Sequence, residues 1–197
     1  MKYILALVLW ILPLMATSNM GDISTGPRLF KIIESTISHL ENRYDTPIQY
    51  HHNWRVILLT HEEIQQRWCG NKHENDINKY ANCVSEAGIY AYYEVVSGSI
   101  ILPRSMNLDR THDVASVVHE VVHFVQDKHG LTWRGNNRKC MEWLELEAMT
   151  IEMDIVKLLE LHRPNWYIKH NSEWQGKWRS KLDTNGNCVG EIGLDDI

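Results

Sequence analysis

The chain has 197 residues, 44% of them hydrophobic and 23% charged, and a net charge of -5. That length and balance suit one domain with a real core. No Lys/Arg cluster is dense enough to track a phosphate backbone, so nucleic-acid binding is set aside.

The opening residues, MKYILALVLWILPLMATSNM, put one positive charge before an apolar run from Ile4 to Met15, followed by small residues. This is the pattern of a secretory signal peptide and is too short to favour a membrane span. Ala16-Thr17-Ser18 suits the cleavage rule, so residues 1–18 are expected as a leader and 19–197 as a single domain. An uncleaved anchor is the alternative. After cleavage no membrane attachment is expected, and the protein would be secreted or periplasmic. Cys69, Cys83, Cys140 and Cys188 fit two disulfides in such a protein. Pairing Cys69 with Cys83 would close a short polar loop. Pairing Cys140 with Cys188 would tie the tail to a helix start. No C-x-x-C spacing suggests a four-cysteine metal site.

In chain order, Leu29, Ile32, Ile33, Ile37, Leu40 and Tyr44 recur at helical steps, predicting a helix over 22–44. Ser24 or Thr25 can cap it, Pro27 suits its first turn, and Thr46-Pro47 ends it. Trp54–Leu59 is β-branched and apolar, a buried strand. Thr60-His61-Glu62-Glu63 has the form of a capping box opening a helix to about Trp68. The polar stretch 70–82 reads as a loop. Ile89–Val95 and Ser99–Leu102, joined at Ser97-Gly98, read as a hairpin. Thr111 can cap a helix running to Lys128, with Asp113 in its first turn and Gly130 as its stop. A polar loop at 131–139 leads to a long helix over 141–162, ended by Pro164. The tail reads as irregular, with a short helix near 173–182. Its tryptophans, Trp166, Trp174 and Trp178, could cap a core or line a cleft, as could Trp143 before them.

The chemistry gathers on His119-Glu120-Val121-Val122-His123. Two histidines four apart share one face of a helix and can grip one zinc ion. The adjacent Glu120 then lies where it can act as general base toward an activated water. The surrounding helix is apolar on most sides, and buried histidines there need a reason. The alternative is two incidental histidines on a core helix.

A zinc site needs a third protein ligand. Glu145, on the following helix, shares a face with Ala148, whose small side chain would let two helices approach closely. Glu152, two turns on, could accept a hydrogen bond from a ligand histidine. Glu147 is the other candidate ligand and points roughly 160° away. Glu142 lies too near the helix start. His129 completes a spacing that mimics H-E-x-x-H-x-x-G-x-x-H, but Gln126 stands where that pattern needs glycine for its turn. On a straight helix His129 would lie ~9 Å along the axis beyond His123, out of reach.

The stretch 89–152 resembles a bacterial family of exported H-E-x-x-H proteins of unknown function, grouped with gluzincin-type metallopeptidases. The resemblance rests on the IY…IILP hairpin, on HEVVHFVQ with Gln126, and on Cys140 followed by Glu145, Glu147 and Ala148. It implies a zinc-dependent hydrolase with His119 and His123 as ligands, Glu120 as base and Glu145 as third ligand. Met149 stands where a thermolysin-like E-x-x-x-D pattern has aspartate, so the support behind the ligands must differ. The fold expected is α+β, a small mainly antiparallel sheet packed on a zincin-type active-site helix and a following Glu-bearing helix.

The function expected is an exported zinc (Zn2+) metallopeptidase acting on a peptide or protein substrate. A non-catalytic zinc-binding structural or interaction protein is the competing reading. A hydrolase of a non-peptide amide would share the chemistry. Tyr167, His162, His129 and Tyr92 are candidates to stabilise the oxyanion. The hairpin strand could present an edge to an extended peptide or could simply be core.

Overall fold

The computed structural model describes residues 26–45, 54–72, 76–86, 88–132, 139–184 and 188. The expected leader, the caps Ser24 and Thr25, Thr46-Pro47 and most of the 131–139 loop lie outside these residues. The elements run α1 (Gly26–Tyr44), β1 (Arg55–Leu59), α2 (His61–Lys72), α3 (Ile77–Glu86) and β2 (Tyr92–Glu94). They continue with β3 (Ser99–Pro103), α4 (Thr111–Lys128), α5 (Met141–Leu158) and α6 (Asn165–Arg179). The α+β class expected from sequence is what forms.

The sheet has the order β1-β3-β2. β2 and β3 make the expected antiparallel hairpin, with Tyr92 opposite Ile101 and Glu94 opposite Ser99. Its turn places Gly98 at φ 64, a left-handed backbone that glycine adopts without strain. β1 joins β3 in parallel, from Arg55 opposite Ser99 to Leu59 opposite Pro103. The sheet is therefore mixed rather than mainly antiparallel. A parallel pair needs a long crossover, and the segment between β1 and β3 supplies it by way of α2, α3 and β2.

Thr60 and Glu63 form the reciprocal capping box: Thr60 N–H donates to Glu63 Oε2 at 2.7 Å and Glu63 N–H to Thr60 Oγ1 at 3.2 Å. α2 continues past Trp68 to Lys72, and α3 forms where a loop was expected. Asp76 explains the second helix, because its Oδ1 accepts the N–H groups of Asn78 and Lys79. The Cys69–Cys83 disulfide staples α3 to α2, giving this polar stretch a constraint that its sparse apolar residues could not.

The core sits around α4. Val114, Val117, Val118, Val121, Val122, Phe124 and Val125 pack with Ile33, Ile37 and Leu40 of α1, Ile100 and Leu102 of β3, and Ala148, Ile151 and Ile155 of α5. Arg110, not Thr111, is the N-cap of α4, and the Thr111 hydroxyl instead donates to the His162 carbonyl. α4 ends in a Schellman turn, with Gly130 N–H bonded to Asp127 O, Leu131 N–H to Gln126 O, and Gly130 at φ 69. α5 ends four residues before the expected His162 by the same device. Glu160 takes φ 54, and Leu161 N–H reaches Val156 O at 3.2 Å.

α6 starts earlier and runs longer than the short helix expected near 173–182. Only Tyr167 and Asn171 of it are buried, so its apolar periodicity is weak. The Cys140–Cys188 disulfide ties the chain beyond α6 to the start of α5, closing a separation of 48 residues. Chain-entropy reasoning assigns such a loop about 4 kcal/mol. Both disulfides are the favoured pairs, and they fit an exported protein. No helix among the described residues is long and apolar enough to cross a membrane.

Candidate metal centre

α4 and α5 pack side by side, with Ala148 fully buried between them. That contact turns the Glu145 face of α5 toward the histidine face of α4. His119, His123 and Glu145 form the group of possible metal-binding side chains found among the described residues. The two Nε2 atoms lie 3.1 Å apart. Glu145 Oε2 is 3.3 Å from His119 Nε2, and Oε1 is 3.3 Å from His123 Nε2.

These lengths are long for charge-assisted hydrogen bonds, which run about 2.7–2.9 Å. A zinc bound at about 2.0–2.1 Å separates its ligand atoms by about 3.3–3.4 Å, and each histidine Nε2 lies at that distance from one oxygen of Glu145, His119 from Oε2 and His123 from Oε1.

The outer nitrogens have partners of their own. His119 Nδ1 lies 3.3 Å from Glu152 Oε2, while the other Glu152 oxygen accepts from Tyr167 and Asn171. His123 Nδ1 lies 2.8 Å from Gln126 Oε1. The Gln126 amide has one sensible orientation, because its Nε2 donates to Leu144 O at 3.0 Å and to Glu147 Oε2 at 3.1 Å. Its Oε1 must therefore accept from His123. With its Nδ1 donating, His123 has its lone pair at Nε2, 3.1 Å from His119 Nε2, a spacing that suits a proton or a cation between the two rings. Two imidazoles and one carboxylate are also the donor set that suits zinc.

Electrostatics point the same way. Burial works against charge on His119, yet Glu145 and Glu152 carry its pKa well above the usual histidine range. Burial also opposes charge on His123, and Glu145 again outweighs it. Burial would raise the Glu145 carboxyl, but hydrogen bonds to His119 and His123 hold it well below the usual carboxylate range. The carboxylate of Glu145 thus favours positive charge on the two histidines that face it.

Glu120 is 8% exposed. Burial pushes its pKa up, against the lowering pull of His119 and His123, and it hydrogen-bonds to the backbone of Tyr93 on β2. β2 is one of the sheet's two edge strands, so that edge lies beside the carboxylate.

The remaining candidates fall elsewhere. Glu147 faces α1: Tyr44 donates to its Oε2 at 2.5 Å, and Arg43 Nε lies 3.6 Å from its Oε1. His129 is the C-cap of α4 and packs its ring 4.7 Å from that of Tyr44. Burial lowers its pKa. Tyr167 spends its hydroxyl on Glu152 Oε1 at 2.6 Å, and Tyr92 directs its own toward Glu94 at 3.5 Å. His162 is exposed and offers its carbonyl to Thr111.

Gln126 matters here for more than its failure to be glycine. Its position three residues after His123, on the same helical face, was the available signal. Asn171 was missed as well: its Nδ2 donates to Glu152 Oε1 at 3.2 Å. Tyr167, Asn171 and Gln175 recur every four residues, a polar stripe that could have marked α6 as a helix with something to hold.

Comparison with family models, curated proteins and solved structures finds no match to the chain.

Proposed function

We propose that the protein is an exported zinc-dependent peptidase, secreted or periplasmic, that hydrolyses peptide bonds. One observation carries the reading: the Nε2 atoms of His119 and His123 converge on the Glu145 carboxylate, while Glu152 and Gln126 lie against the two Nδ1 atoms. A zinc ion held by His119, His123 and Glu145 would supply Lewis acidity, acidifying a water and polarising a carbonyl.

This chain's own residues would do the rest. Glu120, held by the Tyr93 backbone, takes a proton from the attacking water and returns it to the leaving amine. An extended substrate would lie along the edge of β2, pairing its backbone with the strand next to Glu120. A structural zinc site needs no glutamate beside its ligands, so Glu120 favours the enzyme.

Two measurements test the reading. Metal analysis of purified protein should find one zinc per chain. Glu120→Gln should keep that zinc and lose hydrolysis of unfolded casein. Stoichiometric zinc with no activity on a broad peptide panel would remove the peptidase reading and leave a zinc-binding protein.

A further inference from the structure

α6 contributes no residue to the candidate metal triad, yet it reaches that triad through one side chain. Glu152 Oε2 faces His119 Nδ1, while its Oε1 accepts from Tyr167 Oη and Asn171 Nδ2 at 2.6 and 3.2 Å. Asn171 is itself aligned by Gln175, whose Nε2 donates to Asn171 Oδ1 at 2.7 Å and also reaches Met149 O at 3.5 Å. Tyr167 and Asn171 are the buried residues of this helix. The ring of Tyr167 packs with Ala115 and Val156, and the rest of α6 is partly or fully exposed. The contacts that dock α6 are thus largely the contacts that orient Glu152.

We propose that α6 is a clasp linked to the metal centre, in which Tyr167 and Asn171 are positioning residues acting on His119 through Glu152. The inference rests on the zinc reading above. With α6 docked, Glu152 is fixed in the place that aims His119 Nε2 at the metal position. With α6 released, Glu152 loses two donors and His119 loses its fixed orientation. Coupling of this kind is reciprocal: what docking of α6 adds to metal affinity, metal adds to docking of α6. The Cys140–Cys188 disulfide keeps the released helix tethered, so release is a local and reversible opening.

The test follows backbone hydrogen exchange over 165–179 in the full chain, with and without zinc, and zinc affinity by chelator competition. Zinc should slow exchange across α6 in the wild type. Tyr167→Phe keeps the ring in its pocket and removes only the hydroxyl; with Asn171→Leu it should weaken zinc by ~10-fold or more and abolish the zinc-dependent slowing. Lys169→Ala, on the exposed side of the same helix, should change neither. Unchanged zinc affinity in Tyr167→Phe/Asn171→Leu would overturn the clasp, as would α6 exchange indifferent to zinc in a wild type that binds it. A wild type that binds no zinc would instead overturn the metal reading itself.

Discussion

The two histidines are supported in opposite ways. Behind His123, Gln126 is 0% exposed and its amide spans α4, the Leu144 carbonyl and Glu147, which Tyr44 and Arg43 meet from α1. α1 is itself held by the fully buried Ile33, Ile37 and Leu40. Behind His119, the support passes through Glu152 to α6, a surface helix with two buried residues. One half of the site is built into the core and stands or falls with folding. The other is set on a peripheral helix, most of whose residues are exposed.

The largest effect should come where the two halves meet. Glu145→Ala removes the carboxylate that both histidines face and should weaken zinc by more than the ~10–100-fold that an outer partner costs. Glu147→Ala should weaken it far less; the reverse outcome, by chelator competition, would move the ligand to Glu147.

Gln126→Leu probes the core-built half. It leaves His123 Nδ1–H and the buried Glu147 carboxylate short of a partner, and should cost roughly 2–4 kcal/mol in denaturant unfolding. Glu152→Ala probes the peripheral half. It should weaken zinc by ~10–100-fold while lowering the unfolding midpoint less than Gln126→Leu does. Equal stability losses would erase the distinction between the halves.

The smallest effect on zinc is expected at Glu94, at the end of β2, whose partners are Arg67, Asn71 and Ser97 rather than the candidate ligands. Arg67 grips Glu94 with two hydrogen bonds, at 2.8 and 2.7 Å, and Asn71 and Ser97 add two more. The Arg67 guanidinium, more than any other group, brings the Glu94 pKa from 4.5 to about 2. A carboxyl lowered on folding contributes stability that is present above its unfolded pKa and lost as pH falls through the folded one. Acid unfolding of the wild type should therefore show a stability loss between pH 4.5 and 2. Arg67→Met should flatten that loss without changing zinc affinity measured at neutral pH. A changed affinity would show that the sheet end and the metal centre are not independent.

Local signals carried much of the structure. Helix α4, its stop at Gly130, the Thr60–Glu63 box and the face shared by His119 and His123 depend on spacing and short-range hydrogen bonds. Each can be read from a window of a few residues. Glu152 beside a histidine was legible for the same reason, since two turns of α5 carry it back to the face of Glu145. The helix α3 was not, because its stretch is polar and takes its support from the Asp76 cap and a disulfide partner on α2.

By itself, the sequence determined the elements of the site: two imidazoles at helical spacing, a carboxylate between them, and a second helix rich in glutamate. Only the tertiary structure decided how those elements face one another. Which glutamate of α5 meets the histidines depends on the rotation of that helix, set by Ala148, Ile151 and Ile155 burying against α4. The orientation of the Gln126 amide depends on a carbonyl and a carboxylate from a different helix. The parallel pairing of β1 with β3 and the docking of α6 on Glu152 likewise join residues far apart in the chain. Such choices belong to packing geometry and satisfied hydrogen bonds, which no local window contains.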